Sequence, residues 1–160
     1  MWAFLLFYMR QDKGQRKLVV EEPPAAYGTR EAAREHTLQP DETVRRVRAG
    51  LPMAEFDALR DMLDLTAEAL AAHLAIPRST LARRRKAGHL DMQESDRLLR
   101  YARLFALARQ ILQEDAAARE WLKAPARALG YVTPLEFAET EVGVREVENL
   151  LGRIEYGVFS

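Results

Sequence analysis

Five basic side chains fall within the nine residues at positions 78–86, and no acid interrupts them. They are Arg78, Arg83, Arg84, Arg85 and Lys86, interleaved with Ser79, Thr80, Leu81 and Ala82. Guanidinium forks suit guanine edges and phosphate oxygens, and hydroxyls near a helix start suit phosphates. The chemistry on offer is recognition of a polyanion. A basic run is also what an ordinary solvated helix face looks like, so the element that carries it decides between the two.

That element spans Thr66 to Gly88, TAEALAAHLAIPRSTLARRRKAG. It reads as helix, short turn, second helix, the arrangement that lays its second helix in the DNA major groove. Leu70, Leu74 and Ile76 are apolar where the first helix and the turn must be buried. Ala71 is small where two helices cross, Pro77 suits the start of the second helix, and Leu81 anchors that helix inward. At ~100° per residue, Ser79, Arg83 and Lys86 point away from Leu81, with Thr80 and Ala82 flanking them. Arg83 is the candidate for a bidentate guanine contact. Arg84 and Arg85 lie nearer the inner side and the helix end, where phosphates are the expected contacts. Arg78, Ser79, Thr80, Arg83, Arg84, Arg85 and Lys86 form the candidate DNA-binding set. Two residues depart from the usual pattern. Ala75 stands where the turn often has glycine, and Arg84 where an apolar residue is common. The second departure predicts a helix that ends early or packs differently.

The 160 residues suit one domain or two small ones, and the apolar fraction of 48% is that of a globular protein. Net charge is zero, but its distribution is uneven. Residues 66–103 carry eight Lys/Arg against four Asp/Glu, and residues 114–160 carry five against nine. A basic middle and an acidic end imply two surfaces with different partners. The absence of cysteine excludes a disulfide framework and Cys-based zinc sites, and it suits a reducing cytoplasm.

The apolar run Trp2–Met9 lacks a basic region before it and a cleavage site after it, and it is too short to span a membrane. It suits a minor arm, an interface segment, or read-through ahead of an initiator at Met9. Residues 10–40 mix charges with Pro23, Pro24 and Gly28, which marks a weakly structured leader with at most a short helix from Thr29 to His36.

Helical patterning begins at Asp41, an expected cap for a helix carrying Val44 and Val47 and ended by Gly50. Pro52 opens a helix with Phe56, Leu59, Met62 and Leu63 at helical spacing. After the paired helices, Asp91 and Glu94 make a capping box for a long helix over 92–113. Its apolar stripe is broad enough to be buried on more than one side, linking two halves. Whether it also helps dimerisation the pattern leaves open. Asp115 is an expected cap for a helix with Trp121 and Leu122. Thr133, Pro134 and Glu136 mark a strong helix start. A last helix over 141–151 carries Val144, Val147, Leu150 and Leu151, with Gly152 as its expected C-cap. No alternating strand pattern appears, so the expected class is all-α, divided into a leader (1–40), a helix-turn-helix unit with the connecting helix (41–113) and a C-terminal unit (114–160).

No catalytic or metal set emerges. His36, His73 and His89 fall in separate segments, with His73 expected to be exposed and His89 near phosphates. There is no Gly-rich phosphate loop, and Glu139, Glu141, Glu146 and Glu148 have the spacing of a solvated or partner-facing surface. The expectation is no enzyme, no cofactor and no metal. The last eight residues combine Ile154, Tyr156, Val158 and Phe159 with only two charges, Arg153 and Glu155, and Tyr156 and Phe159 are strong interface anchors. Such a tail either folds back on its own core or docks on a partner. Gly152 and Gly157 would let it bend into a cleft.

The stretch Trp121 to Ser160 closely resembles the toxin-binding domain of the Xre/MbcA/ParS antitoxin family. The resemblance rests on Trp121-Leu122, Pro125, Ala128-Leu129-Gly130, Thr133-Pro134-Leu135, Thr140, Gly143, Val147, Leu150 through Glu155, and the closing Tyr-Gly-Val-Phe. Upstream, STLARRRKAGHL and ESDRLLRYARLFALA are similar to the family as well, so the likeness covers Phe56 to Ser160. Tyr131 departs from it, where the family usually has a second glycine, which bears on the local turn. The resemblance implies an all-α type II antitoxin: a DNA-binding half followed by a small helical toxin-binding half. Its implied partners are a RES-domain toxin that depletes NAD, double-stranded operator DNA, and a second copy within a larger complex, with no membrane. Arg153, Ile154, Glu155, Tyr156, Gly157, Val158, Phe159 and Ser160 would be the toxin-binding residues, reaching into the NAD site. Autorepression through the helix-turn-helix is implied too. The competing expectation is a plain transcriptional regulator whose C-terminal half only dimerises or senses a ligand.

Overall fold

The computed structural model describes residues 40–155 and 157. The apolar run Trp2–Met9 and the expected helix at Thr29–His36 lie outside the described residues. Eight α-helices follow one another: α1 (Pro40–Ala49), α2 (Met53–Leu63), α3 (Ala67–His73), α4 (Arg78–Ala87), α5 (Met92–Leu112), α6 (Asp115–Lys123), α7 (Pro134–Phe137) and α8 (Glu141–Glu155), with a 3-10 turn at Arg127–Leu129. No strand forms among the described residues. Two isolated bridges pair Pro52 with His89 and Ala126 with Val132. The class is all-α, with a helix-turn-helix unit ahead of a smaller helical one.

The long helix α5 is the spine. Leu98, Leu99, Tyr101, Ala102, Leu104, Phe105, Ala106 and Ala108 are buried along it, an arc of more than half its circumference at ~100° per residue. Each large apolar side chain so buried stabilises the fold by ~1.5–3 kcal/mol relative to exposure. Its N-terminal part packs on α1 and α2, and it also packs on α6 and α8. One continuous apolar core therefore runs from Leu51 to Leu151 rather than two separate ones.

Local chemistry sets most helix ends. Asp91 accepts from the Glu94 amide at 2.8 Å and Glu94 accepts from the Asp91 amide at 2.8 Å, which closes the expected capping box on α5. Thr133 and Glu136 do the same for α7, with Pro134 in its first turn. Those hydrogen bonds from Thr133 hold the Glu136 carboxyl below its ordinary range. Three expected boundaries move. The first helix begins at Pro40, so Asp41 lies inside its first turn rather than capping it. Asp115 is likewise the first residue of α6, after Glu114. Its carboxylate pairs with Arg109 at 2.6 Å instead of capping. Gly152 does not end α8, which continues to Glu155. A helix packed by Val144, Val147 and Leu151 continues through a lone glycine because that residue costs only ~1 kcal/mol.

Two connections carry tight geometry. Ser95 is fully buried, accepts from the Leu51 amide at 2.8 Å and donates to the Asp91 carbonyl at 2.5 Å. It fastens the α1–α2 connection to the start of α5. Gly50 has φ +89, and a Cβ there would sit 2.2 Å from the Leu90 carbonyl oxygen, so only glycine fits.

Candidate nucleic-acid and partner-binding sites

Helix α3 begins at Thr66, whose hydroxyl accepts from the Ala69 amide at 3.1 Å. Leu70, Ala71, Leu74, Ile76 and Leu81 are all buried, which pins α3, the turn and α4 to the core as their pattern requires. The turn passes through Ala75 in the left-handed region at φ 53. Glycine is common at such a turn because it enters this region without a Cβ clash. Pro77 stands just outside α4 rather than in its first turn, and Gly88 ends the helix at φ 81.

The seven DNA-binding candidates divide into two groups. Arg78, Ser79, Arg83 and Lys86 are exposed on α4, and Thr80 is half-buried beside them. Arg78, Arg83 and Lys86 have no ion pair among the described residues, so their charges stay available for phosphates or bases. Arg84 does not share this face. Its Nε donates to Glu94 at 2.7 Å and its Nη2 donates to Asp91 at 2.5 Å. Those bonds insert it into the α5 capping box, with only 17% of the side chain exposed. The hydrogen bond to Glu94 pushes its guanidinium further above its ordinary value. Helix α4 therefore does not end early at Arg84. An apolar slot is filled by an arginine whose charge is met by two carboxylates. Two of its three guanidinium nitrogens are thus committed to these carboxylates, unlike those of Arg78 and Arg83. Arg85 is also held inward, 3.1 Å from Asp57 and 5.8 Å over the Phe56 ring, though it remains 41% exposed.

His73 departs from expectation. Its side chain is 17% exposed, and its ring packs 5.9 Å from that of Tyr101. Its Nδ1 is buried without a hydrogen bond, 3.7 Å from the Glu139 carboxylate. It thus sits where α3 meets the C-terminal unit. His89 is exposed, with Nδ1 3.1 Å from the Leu90 carbonyl. Sequence reasoning missed this inter-unit contact because its three members lie in separate segments, α3, α5 and the connection before α8, with no local motif.

At the other end, Arg153 and Glu155 are exposed and Ile154 is half-buried on the last turn of α8. Gly157 donates from its amide to the Ile154 carbonyl at 3.2 Å and adopts φ +67. Arg153, Ile154 and Glu155 are therefore helical, presented by α8 rather than by an extended strand. Tyr156, Val158, Phe159 and Ser160 lie outside the described residues. Glu139, Glu141 and Glu146 are exposed, and Glu148 is half-buried. Glu141 pairs with Arg100 at 3.3 Å and with Arg145 at 3.5 Å. Among the described residues no group of His, Asp and Glu could hold a metal ion, and no helix is long and apolar enough to cross a membrane.

Both units match known families. Residues 42–103 match the antitoxin Xre-like helix-turn-helix domain. Residues 107–157 match the antitoxin Xre/MbcA/ParS C-terminal toxin-binding domain. An antitoxin Xre of Yersinia enterocolitica is 31% identical over 119 residues, which cover 73% of this chain and 80% of that protein. An antitoxin Xre of Photorhabdus laumondii is 42% identical over 74 residues, and there the match spans 46% of this chain and half of the relative's length. One from Pseudomonas putida is 35% identical over 68 residues, 42% of this chain and 43% of its own. A basic helix face, a shared spine and a C-terminal helical unit thus occur together in a chain that belongs to the Xre/MbcA/ParS antitoxin family.

Proposed function

We propose that the chain is the antitoxin of a type II toxin–antitoxin system and that it acts by binding, not by catalysis. Its partner is a RES-domain toxin, similar to ADP-ribosyltransferases, that depletes NAD. The antitoxin blocks the toxin's NAD site with Arg153, Ile154, Glu155, Tyr156, Gly157, Val158, Phe159 and Ser160. It represses its own operon through Arg78, Ser79, Thr80, Arg83 and Lys86, with Arg85 at the edge. The observation that carries this reading is the joining, in one chain, of a stretch matched to a helix-turn-helix domain and a stretch matched to a toxin-binding domain. Arg78, Arg83 and Lys86, without an ion pair among the described residues, and the helical presentation of Arg153 to Glu155 fit it. The protein works in the cytoplasm as a homodimer within a larger complex, without a cofactor, and reads two half-sites about one DNA turn apart, ~34–36 Å.

Co-expression with a RES-domain toxin tests the reading. The full chain is expected to rescue growth and to co-purify with the toxin. A chain lacking residues 154–160 is expected to do neither while still binding operator DNA. Rescue by the truncated chain would show that the tail is not the blocking element.

A further inference from the structure

Tyr131 occupies the left-handed region of backbone space at φ 65. Glycine enters that region freely, whereas bulky L side chains do so rarely. The fold offers this tyrosine little in return. Its side chain is 71% exposed, and its hydroxyl has no hydrogen-bond partner among the described residues. A strained residue that its own fold does not reward is a candidate for an external role.

The loop that carries it is closed tightly. The Tyr131 amide donates to the Ala126 carbonyl at 2.9 Å, and the Ala126 amide donates to the Val132 carbonyl at 3.1 Å. The Leu129 amide adds a third bond to Ala126 at 3.0 Å, while the Leu129 side chain is buried. Gly130, at φ 70, and Tyr131 are two left-handed residues in succession, which turns Leu129 into the core and Tyr131 out of it. The next residue, Val132, is also partly exposed, at 38%. A backbone already fixed by hydrogen bonds has less freedom to lose on association, and tyrosine is among the side chains that dominate interface energetics.

We propose that Tyr131 is a docking anchor for the toxin, making a second contact surface besides the C-terminal end of α8. This rests on the toxin-neutralising reading above. The toxin is the occupant because Tyr131 lies within residues 107–157, the stretch matched to a toxin-binding domain. The complementary surface is an apolar pocket that takes a phenol ring, with a polar group at its base for the hydroxyl.

Tyr131→Gly separates this role from a structural one, because it relieves the backbone while removing the ring. Calorimetry of the full-length chain with a purified RES-domain toxin is the measurement, alongside thermal melts of the free chain. The expected result is binding weakened about tenfold or more with an unchanged or raised melting temperature, while Tyr131→Phe retains most of the affinity. Toxin affinity equal to wild type in Tyr131→Gly overturns the anchor and leaves the parent reading intact. So does a change in self-association without a change in toxin affinity, which assigns the surface to a second copy. Weaker binding accompanied by a lower melting temperature assigns Tyr131 a structural role and also overturns the anchor. A wild-type chain that fails to bind the toxin overturns the parent reading, and the anchor with it.

Discussion

The hydroxyl of Tyr101, on the spine helix α5, donates to the backbone carbonyl of Leu135 on α7 at 3.0 Å, with both side chains buried. This bond ties the helix-turn-helix unit's long helix to the C-terminal unit. His73 brings α3 against the same tyrosine, and separately Lys123 on α6 reaches Asp64 at the end of α2 at 3.4 Å. These polar contacts join the two units over one apolar core.

Tyr101→Phe removes that donor and leaves the Leu135 carbonyl buried without it. The expected loss is ~1–2 kcal/mol of stability, read by chemical denaturation. The pH dependence has a defined sign. Burial, reinforced by Glu139, pushes the Tyr101 hydroxyl above its ordinary value, so the fold disfavours the phenolate. The contribution is complete below the unfolded value near pH ~10 and is lost as pH rises toward the folded one. Wild-type stability should therefore fall above that pH, and the Phe variant should fall less steeply.

Arg83 and Arg84 are neighbours with opposite expected phenotypes. Arg83→Ala should leave stability within ~0.5 kcal/mol, because the side chain is exposed and has no ion pair among the described residues. It should cost ~1–3 kcal/mol of operator affinity and relax base preference. Arg84→Ala should do the reverse. It strands Glu94, which is only 6% exposed, and should lower stability by ~1–3 kcal/mol, part of it regained by removing the Glu94 charge as well. The slope of operator binding against salt should stay near wild type for Arg84→Ala in the folded protein. A slope reduced by ~1 would return Arg84 to the phosphate contacts.

Much of this was legible in the sequence because it is local. The capping boxes at Asp91–Glu94 and Thr133–Glu136 need only residues three apart, and the buried face Leu70, Leu74, Ile76 and Leu81 follows helical spacing. Ala75 and Tyr131 stood out as residues at glycine positions, and both adopt left-handed backbone. What was not legible is non-local. Arg84 looked like one more base in a basic run, and its partners lie seven and ten residues ahead across a turn. His73 looked exposed because Tyr101 and Glu139 are distant in sequence. The end of α8 is misplaced because a lone glycine, at ~1 kcal/mol, does not by itself stop a helix anchored by Val144, Val147 and Leu151.

Gly143 provides the test that isolates the C-terminal unit. It is buried in the first turn of α8, and a Cβ there would lie 1.7 Å from the carbonyl oxygen of Phe137 and 3.1 Å from the Thr140 hydroxyl. The clash is with backbone, so no rotamer change relieves it, and α7 and α8 would have to separate. The Thr140 hydroxyl, which accepts from the Gly143 amide at 3.1 Å, would be displaced with them. Alanine normally favours a helix over glycine by ~1 kcal/mol, but here overpacking of ~1–3 kcal/mol or more opposes it and should win. Gly152→Ala is the control, since a Cβ at that helical glycine meets nothing within 4 Å. The expected outcome is a lower melting temperature for Gly143→Ala and a slightly higher one for Gly152→Ala. Hydrogen exchange should locate the Gly143→Ala loss mainly in α7 and α8, with Leu70 to Leu81 still protected. Equal stabilisation by both alanines would mean that α7 and α8 yield at this contact, and that the close approach is not what fixes their angle.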